Sequence, residues 1–190
     1  MSKPKKQQKA ELSPGFLVFD TETTGLTLHP NAPIEKQPEI IEFGGSLLSC
    51  EDGQLIEQLT ILIKPKGRIT DEITKITGIS EDDVRDAPSF AEAWPQIAAF
   101  IGRAKAALAH NEPFDYAMFE IELRRAQLKT IWPQRFCTIG LYRAQFGFDP
   151  KLVNLYESVI GKPLDQKHRA QSDVDALVEI VQAGELWRLA

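Results

Sequence analysis

The order of strand-like and helix-like segments is the feature that most restricts the fold. Three strand-like stretches come first, at 16–20, 39–49 and 54–64, and the last two are separated by a turn at 51–53. The later segments, in chain order, are helical pieces between 71 and 85, a helix at 89–103, a strand at 105–109, a helix at 112–128, a strand at 135–138, helical pieces at 138–147 and 151–160, and a helix at 171–189. This order predicts an α/β domain with one mixed central sheet flanked by helices.

Two helices carry specific signals at or near their starts. Pro95 should either kink the helix at 89–103 or mark its true beginning. Asn111 is a candidate N-cap for the helix at 112–128, and Pro113 falls in its first turn, where proline is tolerated.

Length and composition are typical of a single globular domain. The chain has 190 residues, of which 43% are hydrophobic and 26% charged, and it has no apolar run long enough to span a membrane. Residues 1–14 are Lys-rich and carry no apolar signal segment, so they are predicted to be a disordered leader before a domain at 15–190. Two cysteines outside any CxxC pair indicate a reducing, cytoplasmic location.

The overall charge restricts how the chain can bind nucleic acid. The formal net charge is −5, and the four lysines within residues 1–10 leave the remaining body more acidic still. Such a body argues against broad electrostatic binding to duplex nucleic acid. It does not exclude an enzyme that holds a few nucleotides through metal ions.

Two carboxylates follow the first apolar strand. Because side chains alternate along a strand, Asp20 and Glu22 should project from the same face as Phe16 and Val18. Like charges held this close need protons or cations between them, and oxygen ligands favour Mg²⁺ or Mn²⁺. The alternative is that Asp20 begins a turn and Glu22 is solvated.

A second acidic position lies where the strand at 105–109 meets the next helix. Asp115 falls in the first turn of that helix, where the helix dipole favours negative charge. By itself this is also the pattern of an ordinary helix start.

A third acidic position lies on the last helix. Asp173, Leu177 and Ile180 share one face, whereas Asp175 lies on a polar face. A carboxylate on a core-facing stripe needs a partner, either a metal or an arginine. His168 precedes this helix, and its ordinary pKa suits a general base near neutral pH, although a lone histidine is more often a surface residue.

The order Asp-x-Glu, Asp, His-x4-Asp resembles the DEDD-type 3'→5' exonucleases, in particular their histidine, DnaQ-like branch, which includes bacterial polymerase proofreading subunits. FDTETTGL at 19–26 carries most of the resemblance, and IIEFG at 40–44 and ITGIS at 76–80 support it. The family resemblance implies a ribonuclease H-like fold and hydrolysis of single-stranded 3' ends to nucleoside 5'-monophosphates.

The resemblance also implies residue roles. Asp20, Glu22, Asp115 and Asp173 correspond to the acids that bind two ions, Mg²⁺ or Mn²⁺, and His168 corresponds to the general base. His168 precedes Asp173 by five residues, which is the spacing of the histidine branch.

Further positions correspond to those that line the nucleotide pocket in the family: Thr23, Thr24, Leu26, Asn111 and Phe114. The sister branch has a tyrosine where this chain has Arg169, so a tyrosine mechanism is not expected.

Three departures from the family pattern concern substrate choice. Glu112 stands where alanine is usual, Thr77 where many members have histidine, and the loop at 28–38 is longer and richer in proline than is typical. DNA is favoured over RNA as substrate. The alternatives are an RNA-trimming exoribonuclease and a non-catalytic nucleic-acid-binding module. A polymerase partner is possible, but the sequence has no evident C-terminal tether.

Overall fold

The computed structural model describes residues 14–190, so the predicted Lys-rich leader lies outside the described residues except for its last position. The strands are β1 (Gly15–Thr23), β2 (Ile40–Ser49), β3 (Leu55–Leu62), β4 (Ala104–Ala109) and β5 (Gln134–Cys137). The helices are α1 (Asp71–Thr77), α2 (Phe90–Ile101), α3 (Glu112–Ala126), α4 (Thr138–Phe146), α5 (Leu152–Ile160) and α6 (Ala170–Ala183). Two short 3₁₀ helices span Ile34–Lys36 and Leu186–Leu189.

The five strands form one mixed sheet, as predicted, and their order in it is β3-β2-β1-β4-β5. The β1–β2 and β2–β3 pairs are antiparallel, whereas β1–β4 and β4–β5 are parallel. Pairing of β1 with β2 continues to Thr23, but its pairing with β4 ends at Val18. The last residues of β1 therefore extend past the end of β4 and have an open edge on that side.

Helices cover both faces of the sheet, and β1 contributes to both cores. Leu17 and Phe19 pack in a cluster with residues of α2 and α3. Phe16 and Val18 pack in a second cluster with residues of α5 and α6. The alternation predicted for β1 is thus confirmed, and it directs Asp20 and Glu22 toward the side covered by α6.

Two helices, α2 and α6, differ from the sequence-based prediction at one boundary each. Pro95 lies inside α2, which already begins at Phe90 because Ser89 and Glu92 form a capping box, so Pro95 does not mark the helix start. The predicted helix at 171–189 is interrupted: α6 ends at Ala183 with Gly184 as its C-cap. Glu185 then takes a positive φ of 50°, so the chain turns before the 3₁₀ helix.

The start of α3 also differs in detail. Asn111 occupies the N-cap position, but its backbone is left-handed (φ 60°, ψ 42°). A capping side chain normally extends from a β-region backbone, and that of Asn111 makes no capping hydrogen bond within the described chain. α3 ends at Ala126, before the predicted Leu128, because Gln127 is also left-handed.

Within residues 14–190, no helix combines the length and the hydropathy needed to cross a bilayer.

Candidate metal centre and active site

Three of the four predicted metal ligands converge at the C-terminal end of β1. One carboxylate oxygen from each of Asp20, Glu22 and Asp173 lies within 4.8 Å of the other two. β1 supplies the first two from one face, since they are two residues apart. α6 supplies the third from its first turn, where the helix dipole favours a negative charge.

Asp173 reaches this position because of the apolar stripe on its helix. Leu177 and Ile180 are fully buried in the core against β1, and Asp173, one helical turn earlier on the same face, is 6% exposed. Asp175 lies on the other face, is exposed and accepts hydrogen bonds from Gln58 and Gln171. The predicted contrast between the two aspartates is therefore present in the structure.

Asp115 lies beside this group without joining it. Its Oδ1 accepts hydrogen bonds from the backbone N–H of Thr21 (3.0 Å) and from the Thr21 hydroxyl (2.7 Å). The N–H is available because β1 at this point has passed the end of its pairing with β4. Asp115 is 2% exposed, and its Oδ1 is bonded to the residue that separates Asp20 from Glu22 in the chain, whereas its Oδ2 has no hydrogen bond within the described residues.

Burial and mutual repulsion disfavour the charged forms of these acids. Burial, followed by the charges of Asp115 and Glu22, raises the pKa of Asp20 well above its ordinary value. Burial is also the main cause that raises the pKa of Glu22 to about 8 and that of Asp115 to about 7. Burial likewise raises the pKa of Asp173. Without a cation, the group would hold protons near neutral pH.

One oxygen of the group indicates that a cation fits there. Asp173 Oδ2 accepts a hydrogen bond from Gln166 Nε2 (2.7 Å), whereas the buried Oδ1 has no hydrogen-bond partner in residues 14–190. A buried carboxylate oxygen without a partner is costly. A ligand set made only of carboxylate oxygens suits a hard divalent cation such as Mg²⁺ or Mn²⁺.

His168 lies in the segment that joins α5 to α6, two residues before α6 begins, and is exposed. Its backbone has a positive φ of 48°, which is uncommon for a residue other than glycine. It is close enough for its positive charge to lower the pKa of Asp173. The structure thus places an exposed imidazole beside the acidic group.

The residues predicted to contact the terminal nucleotide lie at the end of β1 and at the start of α3, the helix that carries Asp115. Thr23 and Thr24 close β1: the Thr23 hydroxyl donates to the carbonyl of Gly25, and the Thr24 hydroxyl accepts the N–H of Glu39. Leu26 follows and is 80% exposed, an unusual environment for an apolar side chain. Phe114, in the first turn of α3, packs against the core at the neighbouring helix start.

Two of the departures from the family pattern have local partners. Glu112 is buried, and Arg135 from β5 compensates its charge at 2.9 Å, so it does not stand as an unpaired charge beside the acids. The guanidinium of Arg135 also lies 3.5 Å from the ring centre of Tyr116. Thr77 is buried, and its hydroxyl donates to the carbonyl of Ile73 in its own helix.

The loop at 28–38 is folded against α3. The buried Gln37 side chain accepts the N–H of Leu28 and donates to the carbonyl of His29. Arg125 donates to three carbonyls of the loop, and a cavity of about 310 Å³ lies between the loop and α3. These contacts hold the loop against α3, next to the Thr23–Leu26 segment.

Three residues at the site were not identified from the sequence as taking part in it: Thr21, Glu42 and Gln166. Glu42 had a usable signal, since it is a charged residue within the apolar strand segment IIEFG. Thr21 and Gln166 had none, because their partners lie on other elements or in a loop without periodicity.

A comparison with protein families decides the classification. A family model described as an exonuclease matches residues 17–181. The chain belongs to this exonuclease family. Membership confirms the prediction of a DEDD-type 3'→5' exonuclease.

Curated relatives agree with this classification. The chain is 30% identical over 168 residues to a PolC-type DNA polymerase III of Clostridium perfringens, a match that covers 88% of this chain and 11% of the polymerase. It is 32% identical over 166 residues to the PolC-type enzyme of Thermotoga petrophila, which covers 87% of this chain and 11% of that protein. The chain therefore corresponds to about a tenth of the length of these relatives.

Solved structures confirm the ribonuclease H-like fold. The nuclease domain of 3'hExo, a DEDDh family member bound to rAMP, superposes with a TM-score of 0.72 at 19% identity and covers 93% of each chain. Exonuclease X in complex with 5' overhanging duplex DNA gives a TM-score of 0.63 at 23% identity, covering 90% of this chain and 93% of its own.

Proposed function

We propose that this exonuclease removes nucleotides one at a time from the 3' end of single-stranded DNA and releases nucleoside 5'-monophosphates. The observation that carries the proposal is the convergence of Asp20, Glu22 and Asp173 within 4.8 Å, together with the partnerless Oδ1 of Asp173 in the described chain. Such a group serves no purpose in the packing of the core, because buried acids without cations destabilise it.

Asp20, Glu22, Asp115 and Asp173 would hold two divalent ions, Mg²⁺ or Mn²⁺. When bound, these ions supply Lewis-acid stabilisation of the negative charge that develops on the phosphate. Asp115 would contribute through Oδ2, since Thr21 occupies its Oδ1.

His168 would accept the proton of the attacking water. Its exposure allows the ring to approach the scissile phosphate, and the carboxylates near it stabilise the imidazolium that forms. Leu26 would pack against the terminal base, with Thr23, Thr24, Asn111 and Phe114 forming the rest of the pocket. Because the terminal base must leave its stack to enter, frayed or single-stranded ends are preferred.

DNA is the favoured substrate because the PolC-type relatives, whose name refers to DNA polymerase, share 30–32% identity over most of this chain. RNA trimming is the alternative, and the rAMP complex of a neighbour with 19% identity is the observation in its favour. A non-catalytic binding module is disfavoured, since none of the five predicted catalytic positions is replaced. Association with a polymerase stays a prediction.

The test is digestion of matched DNA and RNA oligonucleotides labelled at the 5' end, with Mg²⁺ and with EDTA, followed by mass analysis of the products. We expect stepwise shortening from the 3' end, release of deoxynucleoside 5'-monophosphates and complete inhibition by EDTA. Internal cleavage products, or turnover that persists in EDTA, would contradict the proposal. Faster digestion of RNA would reverse the sugar preference.

A further inference from the structure

The IIEFG motif on β2 takes no part in the chemistry proposed above, yet it contacts the helix that carries Asp173. Glu42 and Gly44 are two residues apart on β2, so both lie on the same face of the sheet. Both contact the first residues of α6.

Glu42 makes three hydrogen bonds to this helix start. Its side chain is 1% exposed; Oε2 accepts the N–H of Ala170 (2.9 Å) and Arg169 Nε (3.0 Å), and Oε1 accepts the terminal guanidinium nitrogen of Arg169. A bidentate arginine–carboxylate pair is strongly directional. The carboxylate thus sets both the position and the orientation of residues 169 and 170.

Gly44 provides the second contact. A Cβ at this position would lie 2.7 Å from the carbonyl carbon of Ala170 and 2.7 Å from the N of Gln171. Both are backbone atoms, which cannot move aside without moving the helix. Only glycine therefore lets α6 approach β2 this closely.

We propose that Glu42, Gly44 and Arg169 form a docking seat that positions Asp173 and His168 for the reaction. The backbone carbonyl of Arg169 accepts the N–H of Asp173 (3.0 Å), and His168 is the residue next to Arg169. Holding Arg169 therefore holds the metal ligand on one side and the general base on the other. These three are positioning residues, and the inference rests on the function proposed above.

The charge of Arg169 has a second consequence. Glu42 lies directly opposite Glu22 in the β1–β2 pairing. Without Arg169, Glu42 would add an uncompensated negative charge next to the acidic group formed by Asp20, Glu22 and Asp173. Loss of Arg169 is therefore expected to do more damage than loss of the Glu42 charge, since it leaves a buried carboxylate uncompensated.

The experiment compares Glu42→Gln, Arg169→Gln and the double variant with a matched control, Glu122→Gln. Glu122 is also buried, accepts a backbone N–H (Ile40, 3.0 Å) and pairs with an arginine (Arg125, 2.7 Å), but it lies on α3 and makes no hydrogen bond or ion pair with α6 in residues 14–190. The control thus reproduces the loss of a buried ion pair without disturbing the seat.

Three kinds of measurement are made: steady-state kinetics (kcat and KM) on a single-stranded oligonucleotide at saturating Mg²⁺, the Mn²⁺ dissociation constant without substrate, and hydrogen exchange of the amides at 170–173. We expect each seat variant to lose about 10–100-fold in kcat and in Mn²⁺ affinity, as with other residues that orient metal ligands. KM should change little, and exchange at 170–173 should accelerate. The double variant should lose less than the product of the single losses, since the two residues act as one unit.

Glu122→Gln should keep the wild-type kcat, Mn²⁺ affinity and exchange at 170–173 while its unfolding temperature falls. If the seat variants behave like this control in all three measurements, the proposal that the docking seat positions Asp173 and His168 is wrong. If Arg169→Gln fails to fold, Glu42→Gln, which preserves the shape of the side chain, decides the outcome by itself.

Failure of the proposed function gives a different result. A wild-type protein that degrades no oligonucleotide would refute the exonuclease activity. Mn²⁺ affinity and amide exchange would still test the docking seat. Weaker Mn²⁺ binding and faster exchange confined to the Glu42 and Arg169 variants would support it, and unchanged values would overturn it.

Discussion

The buried carboxylates at the end of β1 lower the stability of the metal-free protein. The metal that they would hold explains why acids occupy these positions. Asp20 has a pKa well above its ordinary value, chiefly because it is buried and then because of the charges of Asp115 and Glu22. In the proposed function the Asp20 side chain holds metal rather than packing in the core, so its removal should separate activity from stability.

We predict that Asp20→Asn abolishes exonuclease activity and raises the unfolding temperature of the metal-free protein at pH 8, because it removes an acid whose charged form is disfavoured by burial and by the neighbouring carboxylates. Asp175→Asn is the matched control: this exposed aspartate on α6 lies outside the group formed by Asp20, Glu22 and Asp173, and its loss should leave turnover unchanged. Product analysis and thermal unfolding in EDTA check both. Near-normal turnover of Asp20→Asn would contradict the metal-dependent mechanism.

His168 is the second residue whose role can be tested alone. We expect His168→Ala to lower kcat by roughly 10²–10⁴-fold, the usual range for a positioned proton acceptor, while Mn²⁺ and oligonucleotide binding persist. Rates are measured at saturating Mg²⁺, so that the metal occupancy is the same in both proteins.

A loss below about tenfold would remove His168 from the mechanism and leave the carboxylates in place.

At the scale of elements, the contact between β2 and α6 determines where the third carboxylate lies. Gly44 and Gly45 are neighbours on β2 that face opposite sides of the sheet. A Cβ at Gly44 would meet the α6 backbone, whereas a Cβ at Gly45 would meet the Phe100 and Phe43 rings at 2.9 and 3.0 Å. The same substitution therefore probes the site on one face and the core on the other.

We predict that Gly44→Ala lowers kcat by about 100-fold, because a shift of α6 by a fraction of its diameter misplaces Asp173 and His168. Gly45→Ala should instead cost about 1–3 kcal/mol of unfolding free energy through overpacking, with little change in kcat per folded molecule. Steady-state kinetics and urea unfolding of both variants are the measurements. Equal kcat values in the two variants would show that turnover does not depend on the close approach of α6 to β2.

For the whole molecule, the acidic site should make the stability of the metal-free protein depend on pH. Glu22 has a pKa of about 8 in the folded protein, above its ordinary value of 4.5, and Asp115 one of about 7. Between the ordinary and the raised pKa, the folded protein holds a proton that the unfolded chain has released. The contribution of each group to stability is therefore complete at low pH and is lost as pH rises toward the folded pKa.

We predict that the free energy of unfolding in EDTA falls for this reason between pH 5 and pH 8, by at most about 1.4 kcal/mol per pH unit for each such group. Glu22→Gln should show a smaller fall than the wild type, which isolates the Glu22 contribution. Saturating Mn²⁺ should reverse the trend, since the metal competes with protons for the same oxygens. Urea unfolding at several pH values tests this, and identical profiles of wild type and Glu22→Gln in EDTA would refute it.

Local periodicity was sufficient to predict several parts of the site. Strand alternation predicted that Asp20 and Glu22 share a face, and helical spacing predicted that Asp173 is buried above Leu177 and Ile180. The order of the elements predicted the mixed sheet with helices on both faces. These properties depend on residues within a few positions of one another, so they can be read along the chain.

Contacts between distant segments were decided only by the tertiary structure. Thr21 holds Asp115 across 94 positions, Arg169 pairs with Glu42 across 127, and Glu112 finds Arg135 across 23. Such pairs form because the sheet order and the approach of α3 and α6 bring their side chains together, and no short-range pattern encodes that approach. The sequence by itself therefore determined which residues could carry the chemistry, whereas packing decided how they are held.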